Sequence, residues 1–145
     1  MKESNQNLGM RLNNPLNIRY NPRNAWRGQE GEERGFCKFE NNAYGFRAAY
    51  IILTNYIKNG CNTLDDIISR WAPPTENKTE NYIQFVSDEC ILPRDMVIHD
   101  RTIDDYWTKI IILRAMAKME TGQTFDEQQI NLFINYPEKY SWVKK

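Results

Sequence analysis

The sequence predicts an α+β fold in which helices dominate and the β structure is confined to a small hairpin region near the N-terminus. From residue 42 to residue 135, apolar side chains recur at three- and four-residue spacing, the period of amphipathic helices. From residue 13 to residue 40 that period is absent, and short apolar stretches alternate with Gly and Asn-Pro turn signals. Because 145 residues are enough for one hydrophobic core, we expect a single domain over residues 1–145.

The N-terminal part is the least regular. Residues 1–12 are polar, and we expect them to form a loose arm. The alternation of Leu16, Ile18 and Tyr20 predicts a short strand, and Phe36 to Phe39 predict another. The Gly-rich residues between these two stretches supply the turns of an irregular β-hairpin region.

Five helices follow, each with its own start or stop signals. They are predicted at about residues 42–59, 63–71, 78–90, 102–122 and 127–135, and a brief helical segment is predicted at Pro93. Thr63 and Asp126 are the expected N-caps of the second and fifth helices, and Asn77 with Thr79 are the expected caps of the third. Residues 123–145 form a C-terminal extension beyond the fourth helix.

The fourth helix carries an apolar stripe that ends in a carboxylate. The stripe consists of Ile103, Tyr106, Ile110, Leu113 and Ala117. The next position on the same face is Glu120, in the last turn before Gly122. Apolar surroundings and the negative end of the helix dipole both favour the protonated acid over the carboxylate. A neutral carboxylic acid is what glycosidic bond cleavage needs. The alternative is that the stripe frays and Glu120 points at water.

Composition excludes several classes of function. The chain has 19 basic and 19 acidic residues and no Lys/Arg stripe, which argues against a nucleic-acid binder. Its 3 Cys are widely spaced and His99 is the single histidine, so we expect reduced thiols, no metal site and no cofactor. No signal peptide or membrane-spanning run is evident. We therefore expect synthesis in the cytoplasm and, for any substrate outside, delivery by another system.

Two stretches carry motifs that are more specific than composition. The first contains NNPLNIR (residues 13–19), WRG (26–28), GFCKF (35–39) and YGFRA (44–48), and the second is WAPPTENKTENY (71–82). Together they resemble a family of small phage virion-associated proteins, also found in prophages and bacterial genomes. Its members read approximately NNPGNIR, W-x-G, GF-x-x-F, G-x-RA and WAPPxENxTxxY, and end in a helix closing with Glu-x-Gly. Here that ending is Glu120-Thr121-Gly122, whereas Leu16 replaces the family's Gly.

The chain also resembles, more distantly, the cell-wall glucosaminidases of the lysozyme-like superfamily. These carry an alanine-rich helix ending in a catalytic Glu, followed by an Asn-Leu-Phe-Gly-Ile-Lys-like strand, W-x-G and a second acid. This chain has similar parts in rotated order, with the Glu helix last. The resemblance implies a lysozyme-like domain that is circularly permuted, a rearrangement that adjacent chain termini permit. It also implies that Glu120 is the acid beside the hairpin.

A second acid is expected in the hairpin region. The resemblance favours the segment QEGEERGF, in which we rank Glu33 and Glu32 above Glu30. The alternative is that these are ordinary solvated acids of a Gly-rich loop. Lytic transglycosylases, which resemble the same superfamily, use one Glu together with the sugar's own N-acetyl or hydroxyl group, so the mechanism does not require a second acid.

The candidate substrate-binding residues are Asn14, Asn17, Arg19, Trp26, Asn77 and Tyr82. Amides suit N-acetyl and hydroxyl groups, and an arginine suits a lactyl or peptide carboxylate. Four of these residues have a structural alternative: Asn14 and Asn17 could satisfy turns around Pro15, Trp26 could cover the hairpin, and Asn77 could cap a helix. Trp71, at the end of an apolar stripe, is expected in the core.

The sequence leaves two classes of function open. The first is a peptidoglycan-cleaving glycosidase or lytic transglycosylase with Glu120 as general acid, acting on glycan strands and not on nucleic acid or membrane. The second is a non-catalytic phage virion structural or cell-wall-binding module. Delivery to the wall by a virion, a holin or a secretion machine fits either, and other virion or secretion-machine proteins are the partners that such delivery implies.

Overall fold

The structure, a computed structural model, describes residues 3–72 and 78–141. Within those residues it contains six helices, one two-stranded antiparallel hairpin and a short 3-10 helix, which confirms the predicted α+β class with helices dominant. The helices are α1 (Asn5–Arg11), α2 (Asn42–Lys58), α3 (Leu64–Trp71), α4 (Thr79–Cys90), α5 (Ile103–Thr121) and α6 (Glu127–Asn135). The strands are β1 (Gln29–Glu33) and β2 (Phe36–Phe39), and the 3-10 helix spans Pro137–Tyr140.

Helix α5 is the central element, because it contacts α1, α2, α4 and α6. It is buried on more than one face. The predicted stripe is correct at Ile110, Leu113 and Ala117, which are fully buried, but Ile112 and Met116 on other faces are fully buried as well. Ile103 was predicted on the stripe, and this is wrong: it is 70% exposed. It is the first residue of the helix, and the buried residues of α5 begin only at Lys109.

The predicted bounds of α5 are confirmed by its caps. The Thr102 hydroxyl accepts from the Asp105 backbone, and the Asp105 carboxylate accepts from the Thr102 backbone, which makes a reciprocal capping box. Gly122 ends the helix in the left-handed conformation, at φ +77°. The predicted caps Thr63 and Asp126 are likewise confirmed at α3 and α6.

The N-terminal segment is helical, so the predicted loose arm over residues 1–12 is wrong for the described residues of that stretch. Ser4 caps α1, and Leu8 and Leu12 are fully buried in a small cluster with Phe36 of β2. The backbone N–H of Phe39 donates to the Leu12 carbonyl at 2.9 Å. Two apolar residues in a polar stretch are too weak a signal to predict this helix, and they become buried only when α1 packs on α5 and against Phe36.

The hairpin forms, but its first strand is not the predicted one. β1 pairs with β2 across a turn in which Arg34 and Gly35 have positive φ values of 55° and 86°. The predicted strand over Leu16 to Tyr20 is reduced to an isolated bridge between Arg19 and Phe36. Asn17 has a φ of 50°, which interrupts an extended chain at the middle of the predicted strand.

The loop formed by residues 13–19 is pressed against α2. A Cβ atom on Gly45 would lie 2.8 Å from the Asn13 carbonyl oxygen and 2.9 Å from Pro15 Cδ, so only glycine fits there without displacement. The side chain of Asn14 is fully buried and donates to the carbonyls of Ile18 and Cys37 at 3.0 and 2.9 Å. This loop is therefore held from both sides, in a fixed position relative to the helices.

Two local predictions between α3 and α5 are corrected. The segment after Pro93 is a single turn, closed by a hydrogen bond from the Met96 N–H to the Pro93 carbonyl, and it does not continue into a helix. Thr79 does not cap α4; it is the first helical residue, and its hydroxyl donates to the Ala72 carbonyl at 2.5 Å. Asn77, the other predicted cap, lies outside the described residues.

The C-terminal part packs back on α2. Phe46 of α2 contacts the rings of Phe125 and Phe133 at centroid distances of 4.9 and 5.7 Å. The Asn41 amide donates to the Pro137 carbonyl and to the Ser141 hydroxyl at 3.3 and 3.0 Å. In the described part of the chain, no helix combines the length and the apolar character needed to span a membrane.

Candidate active site

Glu120 lines a cavity of about 580 Å³ at the C-terminal end of α5. The walls come from α1, the 13–19 loop, β2, the end of α3 and the start of α4. The lining residues are Ser4, Asn5, Asn17, Arg19, Phe36, Trp71, Ala72, Lys78, Thr79, Tyr82, Met119 and Glu120. The site therefore combines parts of the chain that are distant in sequence, and α5 presents its last turn to all of them.

Two neutral donors hold the carboxylate of Glu120. The Asn17 amide Nδ2 donates to Oε1 at 2.8 Å, and the Tyr82 hydroxyl donates to Oε2 at 2.9 Å. One donor comes from the 13–19 loop and the other from α4, so the carboxylate bridges these elements. Hydrogen bonds to the charged form of an acid stabilise that form. The sequence predicts a protonated Glu120, because the negative end of the helix dipole disfavours the carboxylate. The two hydrogen bonds act in the opposite direction, because they stabilise the ionised form.

Tyr82 keeps its proton in this position. It is only 5% exposed. Burial, together with the negative charge and the hydrogen bond of Glu120, raises the pKa of Tyr82 well above its ordinary value. The phenol is thus an O–H donor to Glu120 and not a base. The sequence predicts Tyr82 as a substrate contact, whereas its hydroxyl is directed at the carboxylate.

Asn17 owes its position to the left-handed backbone that interrupts the predicted strand. Asparagine adopts this conformation more readily than most residues. Its side chain lies against α1: a Cβ atom on Gly9 would be 2.4 Å from Asn17 Oδ1. The absence of a side chain at position 9 therefore leaves room for the amide that faces Glu120.

The cavity wall carries more basic than acidic groups. Arg19 and Lys78 are exposed lining residues, and the Arg19 guanidinium lies 4.9 Å from the centroid of the Phe36 ring. Glu120 is the one carboxylate among the described lining residues. Such a wall suits a ligand that is polar and carries negative charge.

Glu33 and Glu32, the predicted second acids, do not line this cavity. Glu33 in β1 accepts from the guanidinium of Arg11 and has a 41% exposed side chain. The hydrogen bond from Arg11 lowers the pKa of Glu33. The carboxylate of Glu32 accepts from the Gly35 N–H at 3.1 Å, within the hairpin turn. The structure thus separates these acids from the cavity of Glu120.

The other predicted site residues are distributed as follows. Asn17, Arg19 and Tyr82 meet at the Glu120 cavity, while the fully buried Asn14 serves only to fix the loop. Trp26 is half-buried and lines a second, neighbouring cavity. Asn77 lies outside the described residues.

Sequence reasoning missed the role of Trp71. It was predicted in the core, yet it is partly exposed and lines both cavities. Its indole Nε1 donates to the Leu16 carbonyl at 3.0 Å, which fixes the ring beside the 13–19 loop. The available signal was its place at the start of the WAPP motif, where the helix ends before two prolines.

Lys109 was also missed. It lies in α5, is 1% exposed, and donates to Asp100, the Tyr50 hydroxyl and the Thr54 hydroxyl at 2.5, 3.1 and 3.1 Å. Its position between Tyr106 and Leu113 on the stripe side could have indicated burial. Lys109 precedes Glu120 by eleven positions, or about 16 Å along the helix axis, so this cluster stabilises α5 away from the cavity.

Cysteines and potential metal ligands do not cluster within the described part of the chain. Cys37, Cys61 and Cys90 are free thiols, as predicted, and burial raises the pKa of Cys37 to about 11 and that of Cys90 to about 12. Among the residues that the structure describes, no three His, Cys, Asp or Glu side chains lie close enough to hold a metal ion.

Comparison with known proteins identifies a phage relative. The chain is 37% identical over 127 residues to Protein P5 of Pseudoalteromonas phage PM2, an alignment covering 82% of this chain and 76% of the relative. No protein-family profile matches the chain. At that identity and coverage, the chain belongs to the same family as phage Protein P5.

Proposed function

We propose that this member of a phage protein family cleaves the glycan backbone of bacterial peptidoglycan, as a glycosidase or lytic transglycosylase, with Glu120 as general acid. The observation that carries the proposal is the placement of Glu120: a carboxylate at the end of the central helix, in an open cavity, with a neutral donor on each oxygen. Glu120 is half-buried and faces a space that a sugar ring can enter.

The proton would be transferred in a sugar-filled cavity. A bound glycan removes water from Glu120, which disfavours its charged form and keeps the proton on the acid. As the C1–O bond breaks, that proton moves to the leaving oxygen and the ring becomes oxocarbenium-like. Asn17 and Tyr82 then stabilise the carboxylate that forms. Because they bind the product of proton transfer more strongly than the neutral acid, they favour the transition state.

The ionised Glu120 would then serve as a base. It accepts a proton from a water molecule, or from a hydroxyl of the same sugar, as that oxygen bonds to C1. Hydrolysis follows in the first case and an anhydro product in the second. Since no second acid is found among the described lining residues, we favour a mechanism in which the substrate's own N-acetyl or hydroxyl group assists.

The proposal extends to the fold. We infer a lysozyme-like domain in which the acid-bearing helix α5 follows the hairpin in the chain. Two observations support this inference: Glu120 lies in the last turn of α5, and Phe36 of β2 contributes to the wall of the same cavity. Delivery to the wall by a virion, a holin or a secretion machine would complete the route from the cytoplasm.

One observation favours a second candidate, a non-catalytic virion or wall-binding module. Asn17 and Tyr82 stabilise the ionised carboxylate, and a permanently ionised Glu120 would bind sugar hydroxyls without transferring a proton. The two candidates differ in turnover, since the binding module releases no product.

The decisive experiment compares Glu120→Gln with the wild-type protein on purified peptidoglycan. We expect zymograms and released reducing ends or anhydro products to fall by at least about 100-fold, because a proton donor is lost while the side-chain shape is kept. Circular dichroism should show an intact fold. Glu138→Gln is the matched control: it removes a half-exposed acid paired with Arg27 and should retain full activity.

Full activity in Glu120→Gln would overturn the assignment, and inactivity of the wild-type protein would leave the binding module. The Glu33→Gln variant tests whether the mechanism uses one acid or two. If it also lost about 100-fold, the hairpin acid would belong to the mechanism after all, and the hairpin would have to move toward Glu120 when substrate binds.

A further inference from the structure

A second cavity, of about 570 Å³, adjoins the cavity of Glu120. Asn17, Arg19 and Trp71 line both spaces, so the two meet along these three residues. Trp71 is held there by its hydrogen bond to the Leu16 carbonyl and by an edge-to-face contact with Tyr56 at 5.9 Å. The shared wall is therefore fixed, and a chain of sugars that leaves the first cavity past this wall enters the second.

The chemistry of the second cavity is that of a carbohydrate site with positive charge. Its lining provides aromatic rings from Tyr20, Trp26 and Tyr56, beside several asparagine side chains. Aromatic faces pack on the apolar faces of sugars, and amides hydrogen-bond N-acetyl and hydroxyl groups. Arg19 and Arg70 supply charge, and none of the described lining residues is acidic.

Arg70 is the most informative of these residues. It is exposed at the end of α3, and its guanidinium lies 4.8 Å from the centroid of the Tyr56 ring. Stacking on Tyr56, together with hydrogen bonds to the Tyr56 and Cys61 side chains, orients this guanidinium at the edge of the cavity. A planar guanidinium binds a carboxylate in a bidentate manner.

We propose that the second cavity binds the continuation of the glycan beyond Trp71, and that Arg70 selects sugar units bearing a carboxylate. This inference takes the identity of the ligand, a peptidoglycan glycan, from the proposed function, but it does not require that the protein cleaves it. Trp26 and Tyr56 contact the ring, while Arg70 pairs with the lactyl or peptide carboxylate that distinguishes peptidoglycan from a neutral amino-sugar polymer.

The test uses Glu120→Gln protein, so that ligands are bound without cleavage. Isothermal titration calorimetry compares a neutral N-acetylglucosamine tetramer with a peptidoglycan tetrasaccharide that carries lactyl carboxylates. We expect the carboxylated ligand to bind about tenfold tighter, as for one charge-assisted contact, and to lose that advantage at high salt. Adding Arg70→Gln should abolish the preference and leave the affinity for the neutral tetramer unchanged.

The controls separate this inference from the proposed activity. Arg23 is an exposed arginine that does not line either cavity, so Arg23→Gln should keep the preference. Trp26→Ala should weaken the binding of both ligands. Equal binding of the two ligands, absence of binding, or an unchanged preference in Arg70→Gln would each overturn the inference. If the wild-type protein releases no product but the Arg70-dependent preference is found, the proposed function fails and the binding site stands.

Discussion

Glu120 and Glu33 are two acids with opposite surroundings. Glu33 accepts from the Arg11 guanidinium at the protein surface, whereas Glu120 accepts from the neutral groups of Asn17 and Tyr82 in a cavity. The side chain of Glu33 stays in contact with water. Glu120 lies where a bound ligand would exclude water, and loss of water disfavours the charged form of an acid.

The comparison teaches that an acid-rich loop is a weaker indicator of a candidate catalytic acid than a carboxylate at the end of an apolar helix stripe. Glu33 lies in a Gly-rich, acid-rich stretch that resembles an active-site loop, yet it belongs to a surface ion-pair cluster in which Arg11 contacts both Glu3 and Glu33. Glu120 lies in the last turn of helix α5, and this turn lines the cavity.

Removing a neutral donor should have the largest effect after loss of Glu120 itself. Tyr82→Phe deletes the hydroxyl bonded to Oε2, so the carboxylate formed in the reaction is less stable and turnover should fall about tenfold. The ionised form is also less stable before reaction, so the protonated acid should persist to higher pH. We therefore expect the alkaline limb of the pH–rate profile to move upward.

Tyr106→Phe is the matched control, because it removes a tyrosine hydroxyl, bonded to Asn131, near the opposite end of α5. It should lower the melting temperature without moving the pH profile. An unchanged profile in Tyr82→Phe would contradict the idea that the Tyr82 hydroxyl lowers the proton affinity of Glu120.

A smaller effect is expected from crowding Asn17. Gly9→Ala would place a Cβ atom 2.4 Å from Asn17 Oδ1 and 3.0 Å from the Asn14 carbonyl oxygen. Alanine favours helix over glycine by about 1 kcal/mol, but here the contact should displace the amide from Glu120. Activity should fall about threefold to tenfold, as expected when a catalytic contact is misplaced.

Asn7→Ala, an exposed change in the same helix, should leave activity as in the wild type. If Gly9→Ala raises stability and keeps full activity, then Asn17 has room to move and its bond to Glu120 is not a constraint on the site.

The smallest effect concerns the surface acid. Because Arg11 lowers the pKa of Glu33 and of Glu3, their contribution to stability is present above their ordinary value of 4.5 and is lost as pH falls through the lower folded values. Arg11→Gln should lower the melting temperature by only about one or two degrees near pH 7, and salt should reduce that difference.

The difference should be smaller at about pH 4 than at pH 7, because the two carboxylates gain protons as pH falls below 4.5 and their contribution to stability is then lost. Thermal melts of the two proteins at both pH values provide the measurement. A difference that grows in acid would mean that Arg11 stabilises α1 through something other than these two carboxylates.

Local signals were sufficient for the long helices and for the acid. The caps at Thr63, Thr102 and Asp126 and the stop at Gly122 act within one helical turn, so their residues identify them without tertiary context. The three- and four-residue spacing of apolar side chains is also a local pattern, and it indicated that Glu120 ends the stripe of α5. The strand predicted around Ile18 was wrong. The apolar alternation of Leu16 and Ile18 suggests a strand, but Asn17 between them has a left-handed backbone that an extended chain does not allow.

The amino-acid sequence by itself determined the helical class, the ends of the main helices and which carboxylate ends the central one. Those features depend on neighbours within about four positions, and the sequence lists such neighbours directly. Only the tertiary structure decided that Asn17 and Tyr82 donate to that carboxylate, that Trp71 lines the cavity, and that α1 is a helix packed on α5 beside the hairpin. These contacts join residues dozens of positions apart, and their energies depend on burial that exists only once the chain is packed.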